Sequence, residues 1–202
     1  VKRDVYVIPS GIDTTRFYKE NIDKNEIINL KKDLGLKKTD FIVLYVGRIA
    51  KEKSIDFLIN NFNSVLKQIP KAKMIIVGDG PDIKDLIDLS KKEGLEDKII
   101  FAGKAPWTDV PKYYSLCDVF VTASKTETQG LTVMEAMGAS KPVVAIRDES
   151  FELMITDKKD GLFFDDEKSY VDMIYEVYKN KKLRDEISFN ARLTADKYSP
   201  YN

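Results

Sequence analysis

Phe41-Ile42-Val43-Leu44-Tyr45-Val46 is an unbroken apolar run that stops at Gly47. A short continuous run of this kind suits a strand buried on both faces, as in a parallel sheet. The same form recurs along the chain. Residues 73–77 (KMIIV) stop at Gly78, and residues 98–102 (KIIFA) stop at Gly103. Residues 118–121 (DVFV) run into a Thr/Ser cluster, and residues 142–146 (PVVAI) and 161–164 (GLFF) complete the set. Upstream, residues 5–8 form one more apolar stretch before the turn cluster Pro9-Ser10-Gly11.

Helical patterns lie between the runs. Ile55, Leu58, Ile59, Phe62, Val65, Leu66 and Ile69 recur at spacings of three and four before Pro70, which predicts one helix over residues 54–68. Residues 82–93, 110–116, 131–137, 170–178 and 181–198 read the same way. Residues 23–38 are highly charged, but Ile27, Ile28, Leu30 and Leu34 point to an amphipathic surface helix. Repeated strand–helix alternation, with no repeat, low-complexity tract or linker, indicates one α/β domain with a Rossmann-like, doubly wound parallel sheet.

Composition narrows the chemistry. The 202 residues include no His and one Cys, with 33 Lys+Arg balancing 33 Asp+Glu. Without His there is no Ser-His-Asp or Cys-His machinery and no imidazole metal site within the chain. One Cys excludes a disulfide framework and a four-cysteine zinc site. Cys117 lies in an apolar stretch and reads as a small buried residue. Zero net charge gives no whole-chain case for nucleic acid or a membrane. No apolar run reaches the roughly 20 residues that span a bilayer. The opening Val-Lys-Arg-Asp has neither an initiator Met nor a leader's apolar region, so we expect an excised piece of a longer, cytoplasmic protein.

In a doubly wound sheet, ligands bind outside the carboxyl ends of the strands, so the loops there matter most. The first is Gly47-Arg48-Ile49-Ala50-Lys51-Glu52-Lys53. Arg48 offers a planar fork matching phosphate oxygens and Lys53 a point charge, although a solvent-facing basic loop has the same composition. The second is Gly78-Asp79-Gly80-Pro81. It shares two glycines with the dinucleotide fingerprint, but Ile83 stands where the third belongs, and Asp97 precedes the next strand instead of ending it. A tight turn into a helix is the favoured reading, with an NAD-dependent dehydrogenase as a separate enzyme class.

The third runs from Glu127 to Gly138, where a polar loop enters a helix near Leu131. The amides of Gly130, Leu131 and Thr132 are the orphan donors of a first turn and favour anions. Glu127 and Glu135 stand eight positions apart and can border one cleft. Carboxylates beside an anion site make sense if they address hydroxyls, such as a ribose diol, while cations offset the repulsion. Taken singly, Glu127 reads as a surface loop acid and Glu135 as a helix-start acid favoured by the dipole.

Together these segments resemble the donor half of family-4 glycosyltransferases of the GT-B type. The resemblance is carried by Gly47-Arg48 with Lys53, the turn at Gly78 to Pro81, and Glu127 and Glu135 followed by Ala136-Met137-Gly138 and Lys141-Pro142-Val143-Val144. Ile8-Pro9-Ser10-Gly11-Ile12-Asp13 with Phe17 is similar to the family's entry into that half, with Ser10 in place of Asn. Phe101-x-Gly103, Tyr113-Tyr114 and Asp118 to Val121 also fit, so the likeness covers nearly the whole chain. Locally, residues 126–132 (TETQGLT) resemble bacterial diacylglycerol glucosyltransferases.

The resemblance implies that residues 1–202 form a nucleotide-sugar-binding C-terminal lobe, with the N-terminal acceptor domain outside this chain. It implies that Arg48 and Lys53 hold the donor diphosphate and that Glu135 takes the ribose hydroxyls. Glu127 approaches the donor sugar, the Gly130, Leu131 and Thr132 amides meet phosphate or sugar oxygens, and Lys104 and Ala105 lie beside the base. The implied reaction is retaining hexosyl transfer from a UDP-sugar of the glucose type to a lipid or glycan acceptor, without a metal or other cofactor. The implied partners are the nucleotide sugar, the missing domain and the acceptor, with peripheral membrane contact through that domain and no nucleic acid. A non-catalytic nucleotide-sugar-binding or interaction domain and a GT-B sugar epimerase are the competing readings.

Overall fold

The computed structural model describes residues 13–127 and 130–199. The strand expected at 5–8, the turn at 9–11, Thr128 and Gln129 lie outside the described residues. Strands β1 (Phe41–Val46), β2 (Ala72–Val77), β3 (Ile99–Gly103), β4 (Val119–Thr122), β5 (Val143–Ile146) and β6 (Leu162–Phe164) form one sheet in the order β3-β2-β1-β4-β5-β6. Every pairing is parallel. All six residues of β1 are buried, which explains its unbroken apolar run. Chain order reverses between β1 and β4, and this switch point opens a crevice outside their carboxyl ends.

The connecting helices are α1 (Lys24–Asp33), α2 (Ile55–Asn60), α3 (Phe62–Gln68), α4 (Ile83–Lys92), α5 (Val110–Leu116), α6 (Leu131–Gly138), α7 (Glu149–Glu152), α8 (Glu167–Lys179) and α9 (Lys181–Lys197). One expectation needs correction. The single helix expected over residues 54–68 is divided at Asn61, whose side-chain Nδ2 donates to the Phe57 carbonyl at 2.9 Å. Such a local side-chain bond competes with the regular ladder without disturbing the apolar periodicity.

One side chain holds two of the site's elements together. Lys141 Nζ donates to Ser115 O at 3.0 Å and Cys117 O at 2.7 Å, joining the segment after α6 to the end of α5. A cation there also suits the carbonyl end of a helix. Cys117 is buried as expected, and burial pushes its thiol up to about 12. Among the described residues, no helix is long and apolar enough to cross a membrane.

Candidate functional site

The loop after β1 is stitched to the loop after β2. Gly47 N donates to Val77 O at 3.0 Å and Ile49 N to Asp79 O at 2.9 Å. The glycines of the Gly78-Asp79-Gly80 turn make this approach possible. A Cβ at Gly78 would lie 1.8 Å from Gly47 O, and one at Gly80 would lie 1.9 Å from Ile49 O. The turn leads into α4 at Ile83, in keeping with the favoured sequence reading. From within the sheet, the Tyr45 hydroxyl donates to Arg48 O at 3.0 Å. The Arg48 backbone is thus held from two directions, while its side chain is exposed and makes no hydrogen bond or ion pair with any described residue.

Lys53 ends a short 3-10 turn, Lys51–Lys53, and reaches across to the loop after β4. Its Nζ lies 2.6 Å from Glu127 Oε1 and 3.5 Å from Ser124 Oγ. The Lys53 and Glu127 side chains are 17% and 20% exposed, so the pair is partly shielded from solvent.

Opposite these cations begins α6. Gly130 caps it at φ +54°, and a Cβ there would fall 2.2 Å from Met154 Cε. Gly130 O accepts from Val133 N and Met134 N. The amides of Gly130, Leu131 and Thr132 donate to no described residue, leaving them directed out of the helix end. Arg48, Lys53, Glu127, Gly130, Leu131 and Thr132 all line one cavity of about 250 Å³, together with Tyr45 and Thr122.

Glu135, Lys104 and Ala105 lie outside that cavity's lining. Lys104 is exposed and Ala105 half-buried directly after β3, in a loop tied to the turn after β2 by Gly78 N donating to Gly103 O at 2.9 Å. Glu135 is half-buried one turn inside α6, and its Oε2 accepts from the Tyr114 hydroxyl at 2.8 Å. Burial raises the Glu135 carboxyl above its ordinary range, while the Tyr114 bond and the charge of Arg16 oppose that rise.

Three residues escaped the sequence reading of the site. Tyr45 was indistinguishable from the apolar run around it, although its place two positions before Gly47 at a strand's carboxyl end is a usable signal. Tyr114 reaches Glu135 from α5, and Arg16, on the 3-10 turn Thr14–Phe17, acts on it only through its charge. Tyr113-Tyr114 fits the family resemblance, but no local pattern pairs either Tyr114 or Arg16 with Glu135. Among the described residues, no group of acidic, Cys or His side chains is arranged to hold a metal ion.

A doubly wound sheet with cations and helix-end amides at its switch point has the form of an anion-binding α/β lobe. The family model described as glycosyl transferases group 1 matches residues 26–194. The chain belongs to that family. It is 37% identical over 196 residues to an alpha-monoglucosyldiacylglycerol synthase of Acholeplasma laidlawii, covering 96% of this chain and 48% of that protein. A Streptococcus pneumoniae protein of the same name is 32% identical over 177 residues, covering 88% of this chain and 40% of its own length. The chain therefore spans about half the length of the curated relatives it matches. The crystal structure of Anabaena HepE in complex with UDP and glucose superposes with a TM-score of 0.85 at 23% identity, covering 96% of this chain and 52% of HepE. That likeness establishes the Rossmann-like lobe of a GT-B fold.

Proposed function

We propose that this chain is the donor-binding half of a retaining glycosyltransferase that moves a hexose from a UDP-sugar, of the UDP-glucose type, to a lipid or glycan acceptor. The observation that carries the reading is convergence on one cavity. The guanidinium of Arg48 and the amides that open α6, both without a partner among the described residues, face it together with the ammonium of Lys53. These groups suit a diphosphate. Glu127 addresses hydroxyls of the sugar and Glu135 those of the ribose, with Lys104 and Ala105 beside the base.

The chemical task is to stabilise the charge that gathers on the leaving diphosphate as the anomeric bond breaks. Preorganised cations and amides do this best where water is excluded. The first turn of α6 and the backbone that presents Arg48 are preorganised in this sense. The arrangement needs no metal or other cofactor to supply positive charge.

Water exclusion and acceptor recognition fall to an N-terminal domain outside this chain, a reading supported by the half-length match to relatives. The names of those relatives favour a diacylglycerol-type lipid acceptor, and such an acceptor suits a cytoplasmic enzyme working peripherally at the inner membrane face. The lobe alone should bind nucleotide with little or no transfer. A thermal-shift panel of UDP, GDP, ADP, UDP-glucose and NADH tests the reading, because a ligand that binds only the native state raises its midpoint. UDP and UDP-glucose should give the largest rises. A response to NADH alone, or to no nucleotide, would overturn the assignment.

A further inference from the structure

The Glu135 carboxylate is held by a residue to which nothing above gives a chemical role. The Tyr114 hydroxyl donates to Glu135 Oε2 at 2.8 Å and lies 3.1 Å from Thr132 O. Its single proton favours the carboxylate, since a bond to a charged acceptor is shorter and stronger than one to a neutral carbonyl. The Tyr114 ring is fully buried. It packs edge-on against Phe17 at 5.5 Å and tilted against Phe120 at 5.7 Å, so the hydroxyl is a fixed point and not a mobile donor. Glu135 Oε1, by contrast, has no hydrogen-bond partner among the described residues and is not sealed from solvent.

We propose that Tyr114 is a positioning residue: its hydroxyl holds one oxygen of Glu135 so that the other faces the cleft to receive the vicinal diol of a ribose. The inference rests on the reading of Glu135 given above. A glutamate side chain has several rotatable bonds, and restricting them before the ligand arrives lowers the ordering cost of binding. The groups acting on this carboxylate are Tyr114 from α5 and Arg16 from the turn Thr14–Phe17. Both favour the ionised form against burial, and an ionised carboxylate accepts both diol hydroxyls.

Calorimetry on the 202-residue chain with UDP and with 2′,3′-dideoxy-UDP tests this, using Tyr114→Phe, Glu135→Gln and the double variant. The unsubstituted chain should prefer UDP by about tenfold or more, the scale of one hydrogen bond to a charged group. Tyr114→Phe should lose most of that preference while binding the dideoxy analogue within about twofold of the parent. The double variant should be no weaker than Glu135→Gln.

Equal losses for both ligands in Tyr114→Phe, or losses that add in the double variant, would overturn the positioning role. A parent chain that binds the two ligands equally would instead overturn the ribose reading of Glu135. Should Tyr114→Phe fail to fold, NMR of the parent serves. The buried Tyr114 hydroxyl proton should remain protected, with contacts to Glu135, when UDP saturates the site. Its disappearance on UDP addition would overturn the proposal.

Discussion

Lys53 Nζ and Glu127 Oε1 stand 2.6 Å apart and join the loop after β1 to the loop after β4. The proposed function assigns these two charges to different parts of one ligand, yet in the free chain they neutralise each other. A bound diphosphate must therefore draw Lys53 away from Glu127, and the released carboxylate becomes available to sugar hydroxyls. Glu127→Gln should tighten binding of UDP itself by about 0.5–1 kcal/mol, the scale of a modest ion pair. The same variant should weaken UDP-glucose relative to UDP. Calorimetry with both ligands checks this, and unchanged or weaker UDP binding contradicts it.

Arg48 has a backbone fixed by the stitched loops and a side chain without a described partner. Its guanidinium should act on the ligand without first breaking another contact. Arg48→Ala should weaken UDP by about 1.5–3 kcal/mol, the range for hydrogen bonds to charged groups. Equal affinities by calorimetry would remove Arg48 from the site.

The glycine turn makes a stability prediction. A methyl group at Gly80 would sit 1.9 Å from the Ile49 carbonyl oxygen, so the two loops must part. Gly80→Ala should cost about 2–3 kcal/mol, as overpacking does in a well-packed region. Thermal unfolding should show the loss, and UDP binding should weaken with it because Arg48 rides on the displaced loop.

Glu135 links the site to pH. Its folded-state carboxyl is raised, chiefly by burial. In the window between its unfolded and folded pKa values, the native state therefore holds more protons than the unfolded one. Stability contributed by this group falls as pH rises through that window. Glu135→Gln keeps an oxygen for the Tyr114 hydroxyl and removes the buried charge. It should raise the unfolding midpoint at pH 7. The gain should vanish below the ordinary carboxylate range, and a midpoint lowered at pH 7 would contradict the argument.

Cys117 should be inert in the native state. It is buried with its thiol pushed up to about 12, so almost no thiolate exists at pH 8. A disulfide reagent such as DTNB should react only after denaturant is added; rapid reaction without it contradicts the buried placement.

Most of the fold was legible because strands buried on both faces leave continuous apolar runs, as 41–46 shows with particular clarity. The division at Asn61 was not, since a side-chain bond to Phe57 O leaves the apolar spacing intact. In the site, Arg48, Lys53, Glu127 and the start of α6 were readable as polar groups directly following strands. The purpose of Gly78 and Gly80 was hidden because the atoms they must avoid belong to a loop some thirty positions earlier. Tyr114 was visible as a residue but not as a partner, because α5 and α6 meet only in the folded chain.

The stitched loops have a further consequence for how the site answers to electrolyte. Their bonds run from amide to carbonyl, and the Tyr45 hydroxyl adds a neutral donor. Added salt screens attraction between the cavity's cations and an anion over about 10 Å or less, but leaves such neutral bonds in place. The fall of nucleotide affinity with ionic strength therefore measures the charges that meet the ligand, separately from any rearrangement of the loop that presents Arg48.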